Sequence, residues 1–180
     1  MVRKTAAAVF LILVGVISQS ISLSAGELSK IFPAESIKRG CALEFKQEPY
    51  PIAMNELGTQ PYNIVTNWFC GDSKSSEIDR YNAEGGSPQI ITVLFWRKDS
   101  FVVLVKWSIS SQAADFQGDF YKVYIYKYNH DGDGPPFIKQ EKVMNKFGQG
   151  WDGMKKGAVV AYPYKNASSI RRRLRQLDGR

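Results

Sequence analysis

The sequence has one histidine, His130, and two cysteines, Cys41 and Cys70. That scarcity removes whole classes of chemistry. A zinc site built on clustered histidines is excluded by the count. A Ser–His–Asp or Cys–His mechanism has to run through His130, which sits among turn-forming residues with no nucleophile signature beside it. The chain contains no G-x-S-x-G elbow and no P-loop. Long apolar runs are missing too. The longest, Ala6–Ile17, falls well short of the roughly 20 residues needed to cross a bilayer.

That short run is placed as an export leader is. Arg3 and Lys4 precede it, and the small and polar residues Ser18–Ala25 follow. A charged start, a short apolar centre and a small-residue end predict a signal peptide over residues 1–25, cut after Ala25. The first cysteine, Cys41, lies too far downstream for a lipoprotein anchor. The expected product is a single β-rich domain over residues 26–180, exported to the periplasm or secreted, with no transmembrane segment in the mature chain. In an oxidising compartment Cys41 and Cys70 are expected to pair, which removes the best nucleophiles.

The formal net charge of +7 is unevenly spread. Without Arg3 and Lys4 it is +5, and Ile170–Arg180 alone carries a surplus of four, from Arg171, Arg172, Arg173, Arg175 and Arg180 against Asp178. Residues 26–169 are therefore close to neutral. The pattern is a neutral body with a basic tail, which argues against a general nucleic-acid binder.

Residues 26–60 show little pattern beyond a short strand at Ala42–Lys46 and a helical turn near Met54–Leu57. Tyr62–Cys70 is rich in β-branched and aromatic residues and predicts a strand. Ser76 and Asp79 have capping-box spacing, which predicts a short helix over Glu77–Asn82. Ile90–Arg97 and Phe101–Ile109 flank a short polar loop and predict a hairpin at the centre of a sheet, apolar on both faces. Asp119–Tyr128 alternates, with Tyr124, Tyr126 and Tyr128 on a face expected to be partly wet. A turn follows, then a return strand over Phe137–Val143. Gly148–Gly153 reads as a glycine-rich loop, and Ala158–Tyr162 as the last strand. Asn166 or Ser168 is placed to cap a helix over Ser169–Leu177, whose Ile170, Leu174 and Leu177 make one apolar stripe. The fold expected is α+β: a mainly antiparallel sheet of about six or seven strands with the C-terminal helix packed on it. A β-sandwich is the alternative.

Several constellations are candidates for function. Asn129, Asp131, Asp133 and Gly134 match the first half of an EF-hand calcium loop, but Gln140 stands where the bidentate glutamate belongs, and Pro135 and Pro136 interrupt it. A plain hairpin turn is the simpler reading, and no other cofactor is indicated. Trp151 and Asp152 in the glycine-rich stretch are candidate partner contacts, as are Tyr124, Tyr126 and Tyr128. Arg171, Arg172, Arg173 and Arg175 offer a basic face. The function expected is a non-enzymatic binding module that recognises a protein, in the manner of a periplasmic inhibitor or a toxin-immunity protein. The alternatives are a cell-wall or extracellular glycan hydrolase with an unidentified carboxylate pair, or a glycan-binding module. Nucleic acid is not an expected partner.

Overall fold

A computed structural model describes residues 29–49, 60–71, 73–113 and 115–179. The leader and the turn near Met54–Leu57 lie outside these residues. The described chain forms ten strands in two open antiparallel sheets, with two short helices. The smaller sheet runs β1 (Ser29–Pro33), β2 (Cys41–Pro49), β3 (Tyr62–Cys70) and β4 (Ser76–Tyr81) in spatial order. The larger has the order β10 (Ala158–Val160), β9 (Gln149–Lys155), β7 (Phe116–Tyr128), β6 (Ser100–Ser111), β5 (Pro88–Trp96). A short β8 (Phe137–Lys139) also pairs with the end of β7. α1 (Glu141–Met144) follows β8, and α2 (Ala167–Asp178) closes the described chain. The expected class, mainly antiparallel β with a C-terminal helix, is the one observed.

β6 lies between β7 and the edge strand β5 in the larger sheet, and Phe101 to Val105 are completely buried on both faces. One face meets the smaller sheet. Tyr81 of β4 lies against Tyr124 and Tyr126 of β7, and Trp68 of β3 against Tyr128 and Phe137. The other face is covered by the C-terminal part of the chain. Tyr162 stacks on Tyr121, and the α2 residue Asp178 accepts hydrogen bonds from Trp96 and Arg97 at the end of β5. One continuous apolar cluster joins the sheets to Ile170 and Leu174 of α2.

Several expectations need correction. Ten strands replace six or seven, because β1, β4 and β9 lack the alternating pattern that marks a strand. The helix expected over Glu77–Asn82 is strand β4. Its capping-box spacing is a local signal, overridden by pairing with β3, where a bulge near Asn67 accommodates Ile78. β5 is an edge strand, with only β6 beside it and a register slip at Ile91. The return strand ends at Lys139, after which the chain turns into α1. The C-terminal helix forms as read, and Asn166 caps it: its Oδ1 accepts from the Ser169 N–H at 2.9 Å.

Cys41 and Cys70 are directly opposed at one end of the β2–β3 ladder and form a disulfide, as expected. The bridge spans 29 positions of sequence. By chain entropy, a loop of that size stabilises the fold by about 3–4 kcal/mol.

Candidate functional site

The glycine-rich stretch around Trp151 is strand β9, and its glycines make room on both sides of the sheet. On one face Trp151 lies against Phe116 and Phe120, at ring separations of 4.3 and 4.7 Å. Between those two phenylalanines is Gly118, paired with Gly153 across the ladder. A Cβ on Gly118 would come within 2.2 Å of the Asp152 carbonyl oxygen, and one on Gly153 within 2.4 Å of that of Gln117. The bare backbone lets the strands approach and the indole lie across the gap. On the other face, a Cβ on Gly150 would strike the Tyr162 ring at 2.7 Å. Trp151 is half-buried, with Lys155 Nζ 5.1 Å from its ring centre. The Asp152 carboxylate accepts from the Tyr162 N–H at 3.2 Å and pairs with Lys165 Nζ at 2.8 Å.

Tyr124 and Tyr126 do not form a wet face. They are 7% and 1% exposed, because the smaller sheet covers the side of β7 that carries them. Tyr128 is half-buried between Trp68 and Phe137, and its ring meets the edge of the exposed His130. Around Tyr126 is a polar cluster that no sequence pattern had marked. Tyr126 Oη donates to Asp79 Oδ2 at 2.5 Å. With that proton committed, Tyr126 Oη accepts from Tyr81 Oη at 3.0 Å. Lys139 Nζ completes the cluster, 2.7 Å from Asp79 Oδ2 and 4.9 Å above the Tyr124 ring. Burial pushes the Tyr81, Tyr124 and Tyr126 hydroxyls well above the ordinary tyrosine pKa. They stay protonated at neutral pH, and Tyr81 and Tyr126 serve as donors. The cluster ties β4 to β7 and β8.

The acidic turn closes on itself. Asn129 Oδ1 accepts from the Asp131 N–H, and its Nδ2 donates to the carbonyls of Asp133 and Pro135. The Asn129 side chain thus holds the loop. Among the described residues no group of three or more His, Cys, Asp or Glu side chains is placed to share a metal ion, Asp131 and Asp133 included.

α2 separates its two sides cleanly. Ile170 is fully buried and Leu174 is 3% exposed, with Leu177 packed at the margin. Arg173 lies along one flank and donates to the Lys146 carbonyl at 3.3 Å. Arg171, Arg172 and Arg175 face outward and are exposed, and among the described residues no acid pairs with them. The one acid of the helix, Asp178, bonds to Arg97 at 2.9 Å instead.

This chain matches no family model, no curated protein and no solved structure. Its own geometry has to carry any reading. Among the described residues no helix is long and apolar enough to cross a membrane. An apolar-floored cleft of about 450 Å³ opens between the sheets beside Phe45, Ile64 and Ile91, and among the described residues no carboxylate lines it. Two polar clefts elsewhere have, among the described residues, one carboxylate each, Glu141 and Asp115.

Proposed function

We propose that the chain is an exported, non-enzymatic binding protein whose partner is another protein. The observation that carries this reading is the state of its reactive side chains. Asp79, Asp119, Asp152 and Asp178 each hold a structural hydrogen bond or ion pair. The Tyr81 and Tyr126 hydroxyls are committed to one another and to Asp79. The two cysteines are joined. These contacts hold strands and helix together, and none of these groups lines the apolar cleft beside Phe45, Ile64 and Ile91. Export is supported by the disulfide, which suits an oxidising compartment, and by the leader-like residues 1–25. The mode of action proposed is occupation of a partner's surface, as an inhibitor or an immunity protein does.

The test is affinity capture with the purified protein from envelope and secreted fractions of the source organism. A partner recovered reproducibly at stoichiometric yield is the expected result. Recovery of none, together with release of new reducing ends from cell-wall glycan, would replace this reading with hydrolysis.

A further inference from the structure

From the outer face of α2 we infer a docking surface for an acidic protein, with Arg171, Arg172 and Arg175 as its contacts; this rests on the binding reading above and names its site. Three observations converge on it. First, the arginines are uncompensated. Arg171 and Arg175 are one helical turn apart, as are Arg172 and Arg175, so like charges face each other on one exposed surface. The first turn of the helix holds no acid, and the acid near its end is engaged with Arg97. An acidic partner would relieve this repulsion.

Second, the residue type is particular. Elsewhere among the described residues arginine occurs only at positions 39, 80 and 97, and the other basic residues are lysine. Within Arg171–Arg175 every basic residue is arginine. A guanidinium grips a carboxylate through two parallel hydrogen bonds, which an ammonium cannot do.

Third, the apolar side of the helix is already occupied. A helix that lies in a bilayer surface inserts its apolar face among the acyl chains. Here Ile170 and Leu174 are locked in the protein core and the exposed residues of the helix are charged or polar. That geometry favours a protein carboxylate surface over a membrane.

The test compares three proteins: the wild type, a triple variant Arg171→Gln, Arg172→Gln, Arg175→Gln, and a control Lys30→Gln, Lys38→Gln, Lys74→Gln with the same loss of charge on the smaller-sheet side. Immobilised polyglutamate and phosphatidylglycerol vesicles are the probes, with capture from envelope extract run in parallel. The expected result is wild-type and control retention on polyglutamate that declines with salt, and retention about tenfold or more weaker for the arginine variant. Its melting temperature should equal or exceed that of the wild type, since the like-charge pairs are gone; this separates lost binding from lost folding. Partner capture should fall in parallel. Equal retention of the arginine and lysine variants would overturn the inference, as would vesicle binding stronger than polyglutamate binding. If a partner is captured equally well by all three proteins, the binding reading stands and this surface is wrong. If none is captured by the wild type, the binding reading itself fails.

Discussion

Gly118 and Gly153 show how a single hydrogen atom in place of a side chain sets the path of two strands. Each has a positive φ, +156° and +145°, and each faces the backbone of the other strand. Gly153→Ala should therefore destabilise the protein by about 2–3 kcal/mol, from steric overlap added to backbone strain. Gly148 is a useful contrast. Its φ is +61°, yet a Cβ there would meet nothing within 4 Å. Gly148→Ala should cost only the left-handed conformation, about 1 kcal/mol. Denaturant melts of the two variants would distinguish them, and equal losses would show that β7 and β9 shift apart to admit the methyl group. The glycines were conspicuous in the sequence, but their purpose was not. Their contacts are with Gln117, Asp152 and Tyr162, which no local pattern connects to them. The alternation of Tyr124 and Tyr126 was equally visible, but what covered them depended on where a second sheet came to rest.

At the scale of elements, the dividing line is between local and distant causes. α2 was legible because an apolar stripe, an asparagine cap and a run of arginines all lie within one short segment. The β5–β6 hairpin was legible because apolar density and a short polar loop coincide. β4 was not legible. Ser76 and Asp79 resemble a helix start, and only docking reveals that Asp79 serves the strand above it. That dependence can be measured. Tyr126→Phe removes the donor to Asp79 and the acceptor for Tyr81, leaving two polar groups between the sheets without this partner. The expected loss is about 2 kcal/mol. Hydrogen exchange should show protection falling first in β4 and at its junction with β7. A loss confined to the turn after β7 would instead make Lys139 alone the tie between these elements.

Across the whole molecule, tyrosine burial links the two sheets and the C-terminal segment to one pH dependence. Tyr81, Tyr124, Tyr126 and Tyr162 are at most 7% exposed, and burial raises the pKa of each well above the ordinary value. Tyr121, stacked on Tyr162, is pushed up to about 12 by burial first and then by Asp119. In the unfolded chain all of them ionise near pH 10, roughly the free tyrosine value. Below that pH both states hold the phenolic protons, so this source of stability is fully present. Above it the unfolded chain releases protons that the folded chain retains, and stability declines as pH rises. For Tyr121 the decline ends near pH 12, where the folded form also ionises. Each fully protected tyrosine contributes a slope of up to about 1.4 kcal/mol per pH unit. Four of them are enough to exhaust a typical stability of roughly 5–15 kcal/mol within one to three pH units. Unfolding should thus set in steeply above about pH 10, with tyrosinate absorbance rising together with the loss of β structure. Tyrosinate absorbance that saturated near pH 10 in a protein still folded would mean that water reaches these hydroxyls and that burial between the sheets does not hold their protons.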